Sequence, residues 1–529
     1  MIRQICRSRA FWLAGGTLLL AGVFIGLTPS IWRTTPTESL DAAGQKAHST
    51  QASDELDDQI VAFCSGCHVM PKPSSFPKSR WHEEVNRGFD FYDQSNRQDL
   101  VPPPVLAVEE YFRSRAPETL ATITSPSAPQ SRLMSFRTQG LSLAPSETPA
   151  KNPVAVSFIS HWQIAGTIQQ QVIFSDMANG GINIANPNAA PVDTRRLSQL
   201  NNPAVVSRCD LNGNGRIDAV IADLGSFLPA DHQLGRVIWL ADVDQQDTVQ
   251  AGVVIAEGLG RVADVQHADF DSDGDIDLIV ADFGWHKTGQ IVLLRNDGTA
   301  AAPKFVRQVI DPRPGTIHVP VVDLNHDGRP DFVALISQEF EVVEAFLNRG
   351  DGTFQKETIF SADDPAFGSS GIQIVDLDQD GDVDVVHCNG DMFDSFLIKP
   401  YYGVRWLENT GSYPFVSHDL TSFPGVLRAL AGDLDHDGDL DIVSTAFLPT
   451  SVRTSDPGKK LDSLIWLEQT SPGQFVRHAI ENGNCIHAAL DLVDLDADGD
   501  LDITTGEFRD RDNANGPAAT IWWNEQRTR

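Results

Sequence analysis

The sequence predicts a mainly β protein made of repeated supersecondary units, preceded by a small α-helical domain and an N-terminal apolar helix. Three observations predict it. A nine-residue Asp/Gly segment recurs six times between Asp210 and Asp502, and each copy runs into β-branched and aliphatic residues such as "LIVADFG", "FVALIS" and "IVSTAF". Upstream, Cys64-Ser65-Gly66-Cys67-His68 sits among residues with helical periodicity. At the start, Arg3, Arg7 and Arg9 precede an apolar stretch from Ala10 to Trp32.

Taken in order, residues 1–33 are expected to be a signal peptide or a membrane anchor. Basic residues ahead of an apolar run direct the N-terminus to the cytoplasm. The run from Ala10 to Leu27 is long for a signal core and barely spans a bilayer, and no A-x-A site directly follows it. An anchored or processed chain would be periplasmic or at the cell surface. Residues 34–49 are a linker. Of the six cysteines, Cys6 would be cytoplasmic and two belong to the C-x-x-C-H motif. Cys209, Cys388 and Cys485 are an odd set, so buried free thiols are expected.

Residues 50–120 form the helical domain. Two thiols on one helical turn followed by an imidazole are what a thioether-linked haem needs, with His68 on the iron. A zinc site would need a second Cys or His pair nearby, and none is present. "SDELDDQIVAF" from Ser53 reads as a helix, "MPKPSSFP" as a loop, "KSRWHEEV" as a second short helix, and "VLAVEEYFRSRAPE" as a third that stops near Pro117. Motif, helix order and closing Tyr-Phe helix resemble the class I cytochrome c domain. The departure is the distal ligand. No Met lies between Glu83 and Arg113, which leaves His82, Met134 or no protein ligand at all. Residues 121–154, rich in Ser, Pro, Ala and Thr, read as a linker.

The Asp/Gly segments begin at Asp210, Asp269, Asp323, Asp376, Asp433 and Asp494, spaced by 59, 54, 53, 57 and 61 residues. Oxygen ligands at positions 1, 3 and 5 with Gly at 6 let a tight loop wrap a hard cation. The helix-loop-helix calcium motif would also place Glu at position 12, but here position 12 is Ile221, Val280, Ala334, His387, Ser444 or Thr505. The acid sits instead at position 9, ahead of a β-like run, so these are calcium loops on hairpins. The expected calcium ligands are Asp210, Asn212, Asn214 and Asp218; Asp269, Asp271, Asp273, Asp275 and Asp277; Asp323, Asn325, Asp327 and Asp331. In the later loops they are Asp376, Asp378, Asp380, Asp382 and Asp384; Asp433, Asp435, Asp437, Asp439 and Asp441; Asp494, Asp496, Asp498, Asp500 and Asp502. The loops at Asp210 and Asp323 carry Asn in place of some Asp and are the weakest candidates.

These features resemble the FG-GAP/VCBS repeat of integrin-type β-propellers. The resemblance implies four-stranded blades over residues 155–529, with up to six calcium ions between first and second strands. "RVADVQHADF", "DLIVADFG", "GQIVLLRNDG" and "KFVRQVI" fit one such blade. "QQVIFSDMANGGINIANP" from Gln170 fits a degenerate first blade without the loop, which makes seven blades, with six or eight as alternatives. It also implies that ligands meet the face opposite the calcium hairpins, through four long loops starting at Leu224, His387, Phe447 and Glu507. A polar pocket there could use Trp285, His286, His387, Asp391, Arg509 and Asp510, with His318 and Arg428 at strand starts on the same face.

Net charge is −32, which opposes nucleic acid as a partner. Twenty-five of the 72 acidic residues lie in the six loops, and the remainder leaves a charge of about −7, so the acidity is mostly a matter of metal ligation. Trp239, Trp406 and Trp466 read as packing residues, not as a quinone-cofactor repeat. No paired-carboxylate or Ser-His-Asp arrangement stands out above the loop aspartates. The expectation is therefore an exported protein with one covalent haem c and electron-transfer capacity, the propeller acting as a docking scaffold for a redox partner. The alternatives are a glycan- or protein-binding adhesion protein with an accessory haem, and a propeller oxidoreductase or polysaccharide-acting enzyme.

Overall fold

The aliphatic runs that follow the Asp/Gly segments become strands with no exposed residue: Asp218–Asp223, Asp277–Asp282, Asp331–Ile336, Asp384–Asn389, Asp441–Ala446 and Asp502–Glu507. A strand covered on both faces reads as a continuous hydrophobic run, and here each is the second strand of an antiparallel sheet pressed between neighbouring sheets. The computed structural model describes residues 54–123, 134–145, 150–163, 169–243, 248–299, 302–455 and 460–525. The apolar stretch 10–32, Cys6 and the linker 34–49 lie outside these residues. No described helix is long and apolar enough to cross a membrane.

Seven sheets are present among the described residues, six of them ordered inner to outer along the chain. Blade one is Val156–Gln163, Gln170–Asp176, Gly181–Asn186 and Asp193–Gln199, so the segment without an Asp/Gly loop is a complete blade. Blade three is Val262–Ala268, Asp277–Asp282, Gln290–Asn296 and Phe305–Asp311, the four strands expected from sequence. In blade four the inner strand is split into Thr316–His318 and Val321–Val322 by Pro320, which has no amide for the ladder. Seven apolar clusters hold the ring, one between each pair of adjacent blades. Trp466 is fully buried between blades six and seven, and Trp406 packs between blades five and six. Cys209, Cys388 and Cys485 are buried and free.

The ring closes on a strand that composition had assigned to the linker 121–154. Phe136–Leu141 pairs antiparallel with Ala519–Asn524 and becomes the outer strand of blade seven, from Phe136 opposite Asn524 to Leu141 opposite Ala519. Leu141 is fully buried in the cluster between blades seven and one. The fold is thus a seven-bladed β-propeller whose first strand completes its last blade.

The helical domain has three helices: α1 over 54–64, α2 over Trp81–Ser95 and α3 over Val105–Arg115. The second helix is longer than "KSRWHEEV" suggests and ends at Asn96 in the left-handed region. Ile60, Phe76, Trp81, Val85, Val108 and Phe112 form the core, with Trp81 stacked on Phe112 at 4.1 Å. This domain packs on the propeller through Ala366 and Leu397. Ser75 Oγ donates to Asp364, Lys72 Nζ donates to Ala362 O at 3.0 Å, and the Lys399 ammonium lies 4.7 Å from the Phe76 ring centre.

Candidate functional site

The Asp/Gly loops share one hydrogen-bond plan. The Asp at position 9 accepts two amides, one from position 2 and one from a residue at or near the end of the third strand. For Asp441 these are Leu434 N at 3.2 Å and Gln469 N at 2.8 Å, and Asp218, Asp277, Asp331, Asp384 and Asp502 repeat the pattern. This aspartate therefore clasps the blade together whether or not an ion binds. Burial, aided by neighbouring aspartates, pushes Asp277 and Asp384 up to about 6 and Asp441 and Asp502 up to about 7. Carboxylate oxygens converge within 4.8 Å in four loops: Asp269, Asp271 and Asp273; Asp376, Asp378 and Asp384; Asp433, Asp435 and Asp437; Asp494, Asp496 and Asp502. Among the described residues the Asn-bearing loops at Asp210 and Asp323 form no such group.

On the opposite face, a cavity of about 650 Å³ lies between the propeller and the helical domain. That volume is within the range of small-molecule and cofactor sites, roughly 300–1,000 Å³. Its floor has a register. Val205, Asp264, His318, Arg428 and Ala489 all line it, and each stands five residues before the first Asp of its loop, at the same place on its inner strand. Its sides come from loops between second and third strands, including Trp285, His286, Glu341 and Asp391, and its cover includes His68, Trp81, Arg87 and Phe91 of the helical domain.

Three ionisable groups on the floor are linked. Arg428 Nη1 donates to His318 Nε2 at 3.0 Å, so the ring proton is on Nδ1, which faces Asp264 Oδ2 at 3.8 Å. Asp264 is fixed by the Val319 amide at 3.0 Å and the Gln266 side chain at 2.8 Å. Burial, helped by Arg428, holds His318 below its usual range, and burial also lowers Arg428. A neutral imidazole beside a guanidinium that has no carboxylate directly on it can receive an anionic group. Burial pushes Glu341 up to about 8 against the Gly368 and Ser369 amides that it accepts at 3.1 and 2.8 Å.

The sequence "ADFG" builds the wall beside it. Gly284 has φ +61°, and a Cβ there would lie 1.6 Å from Thr288 O, so glycine permits the chain to fold back after the second strand. Asp231 then accepts the amides of His286, Lys287 and Thr288 at 3.0, 2.8 and 3.1 Å, which locks the loop. His286 Nδ1 meets Glu339 Oε1 at 3.1 Å, and its ring packs 4.3 Å from Phe91 of α2.

Cys64 is the last residue of α1, and its thiol, pushed up to about 11 by burial, packs against the helical core. Cys67 is exposed, 3.0 Å from Arg97 Nη1. His68 faces the cavity, and its Nδ1 donates to Val69 O at 2.7 Å, which leaves Nε2 with a free lone pair. Two thiols ahead of an imidazole fixed in that tautomer are the donor set a covalent haem needs; of the three, His68 alone lines the cavity. Gly88 of α2 adds to the fit, since a Cβ there would meet nothing within 4 Å at the cavity wall.

Residues 269–334 and 323–387 match the FG-GAP-like repeat family model. The propeller carries FG-GAP-like repeats. No curated protein matches the chain. Among solved structures it is similar to rhamnogalacturonan lyase YesW at 13% identity and a TM-score of 0.40, over 73% of this chain and 75% of that one. A likeness so distant transfers no site.

The FG-GAP-like propeller brings together only part of the pocket expected from sequence. Trp285, His286, Asp391, His318 and Arg428 line the cavity, whereas His387, Arg509 and Asp510 do not. His387 is fully buried in blade five against Ser369 Oγ at 3.1 Å, and burial lowers it to about 3. Arg509 holds the carbonyls of Asn515 and Pro517, and Asp510 accepts the Thr450 amide at 2.9 Å, so both serve loop structure. Neither distal candidate faces the cavity. His82 is 70% exposed and bonded to Glu109, and Met134 is buried between blades six and seven with Leu434, Trp466 and Trp522. Asp264 was overlooked, although it holds the same place before Asp269 that His318 and Arg428 hold before their loops. Lys399, in the long loop after blade five's second strand, lines the cavity with 3% exposure.

Proposed function

We propose that this chain is an exported haem c protein with electron-transfer capacity, in which a calcium-stabilised FG-GAP-like propeller covers and presents the haem domain. Cys64 and Cys67 would hold the porphyrin by thioethers and His68 the iron, and the bound group supplies one-electron exchange. The observation that carries this reading is His68 itself: it follows both thiols, it faces the cavity, and the Val69 carbonyl fixes its tautomer with Nε2 free. The propeller's part is structural and selective. Its inner-strand register places Arg428 and His318 opposite the haem domain, where they can receive a carboxylate, either from the porphyrin or from a partner. The four Asp-rich loops on the far face would bind calcium and stiffen the ring. The arginine-led apolar start supports a periplasmic or cell-surface location.

The test is a pyridine haemochrome assay on the full chain matured in an oxidising periplasm with haem-attachment machinery. One covalent haem per chain is expected, lost in the Cys64→Ala, Cys67→Ala double variant, and a reduction titration should then show a reversible one-electron couple. A wild-type chain without covalent haem would overturn the reading. A second reading, glycan binding with an accessory haem, draws on one observation: Phe393 and Phe508 line the cavity and join Phe447 and Phe227 in an aromatic group. Glycan-array binding that disappears with Phe508→Ala would favour it.

A further inference from the structure

We propose that the propeller supplies the second axial ligand to the haem iron, and that this ligand is His286. The proposal rests on the haem reading above and starts from what the helical domain lacks. Between Val69 and Ile123 that domain holds one methionine and one histidine. Met70 is two residues from His68 and packs against the domain's own core, while His82 points to solvent and is bonded to Glu109. A haem held by His68 therefore has no second ligand from its own domain.

His286 has the chemistry of a metal ligand before any metal is present. Its Nδ1 lies 3.1 Å from a carboxylate oxygen of Glu339, and a carboxylate can only accept, so the proton is on Nδ1 and Nε2 carries a lone pair. That Nε2 is buried and has no hydrogen-bond partner. Leaving a buried acceptor unmet is costly, so it marks a place where a partner belongs. A carboxylate on one nitrogen and a lone pair on the other is the usual setting of a metal-bound imidazole. The ring is also held in place. Phe91 of α2 packs at 4.3 Å on it, Trp285 at 4.3 Å, and Asp231 pins its backbone. His286 lines the same cavity as His68, across the seam between the two domains.

Other donors around the cavity are engaged or less suited. His318 Nε2 already accepts from Arg428, and the Lys399 ammonium donates to the Ala366 carbonyl. Met177 lines the cavity from blade one and is the competing soft donor.

The experiment uses the full haem-loaded chain, after the haemochrome assay has confirmed covalent haem. Absence of haem at that step defeats the functional reading; the spectra that follow judge His286 alone. The ferric wild type is expected to be low-spin and six-coordinate with bis-imidazole electron paramagnetic resonance. His286→Ala should become high-spin and bind carbon monoxide when reduced, and added imidazole should restore the low-spin spectrum, which separates ligand loss from misfolding. His286→Met should remain six-coordinate with a raised reduction potential, because a thioether ligand raises it relative to imidazole. His82→Ala and Met177→Leu should leave the spectrum unchanged. A high-spin wild type, or a His286→Ala spectrum identical to wild type, would overturn the assignment.

Discussion

His487 stands between two carboxylates, with Nε2 2.8 Å from Glu481 and Nδ1 2.9 Å from Glu507, and its side chain is 1% exposed. Burial alone would strip its proton, but Glu507 and Glu481 outweigh burial and push it up to about 10. The folded chain thus keeps a proton that an unfolded histidine releases near pH 6.5. The stabilisation is complete below pH 6.5 and is lost as pH rises towards 10. The melting temperature is therefore expected to fall between pH 7 and 10, and His487→Gln should flatten that fall, a difference of roughly 2–4 kcal/mol by thermal denaturation. At this scale the sequence was legible where residue chemistry is specific. His318 and Arg428 were found by register, and Asp264 had the same register but looked like one more loop acid. His387 and His286 were equally good pocket candidates in sequence. Only the packing of Phe360 and Phe367 around one and the Glu339 carboxylate beside the other separates them.

The elements that sequence reveals are those whose burial is continuous. Each second strand is an uninterrupted apolar run between two sheets, so period and length identify it. Outer strands are half exposed, and Phe136–Leu141 has one buried residue, Leu141, so "FRTQGL" looks no different from the linker around it. That strand is nevertheless what closes the ring. Leu141→Ala should cost about 2–5 kcal/mol in denaturant unfolding, since the cavity it leaves is enclosed by blades seven and one. The loss should appear as a shift of the single main transition. A separate early transition confined to blade seven would show that the seam is not part of the cooperative unit. The second helix looks short in sequence for another reason: Phe89 packs on the helical core beside Phe63 whereas Phe91 turns to His286 of the propeller, so its later turns show no single apolar face.

Across the whole molecule, the acidic loops and the cavity are sorted to opposite faces. The Asp-rich loops crowd one side, and the cavity with Arg428, Lys399 and Arg87 lies on the other. Equilibrium dialysis is expected to find about four bound calcium ions, not six, because converging carboxylates occur in four loops. Chelation should lower the melting temperature. Asp435→Asn should weaken one site, whereas Asn212→Ala should not change the count. A count of zero would leave the loops as hydrogen-bonded turns held by their position-9 aspartates. The domain seam was not legible in sequence at all. Ser75 with Asp364, and Lys399 over Phe76, join residues whose separation along the chain carries no local signal.

The pairing of the first propeller strand with the last also governs when each part can form. Trp523 Nε1 reaches Gln139 Oε1 at 2.8 Å across 384 residues of chain, whereas the helical domain ties itself together over short spans, such as Arg115 to Asp57 across 58. Contacts so distant are slow to form, and the ring cannot close until its final blade has emerged. The C-x-x-C-H segment is therefore complete, and open on the side that the propeller later covers, throughout the time the rest of the chain is being made. Under the proposed function, haem attachment would fall into that interval, before the cavity is roofed.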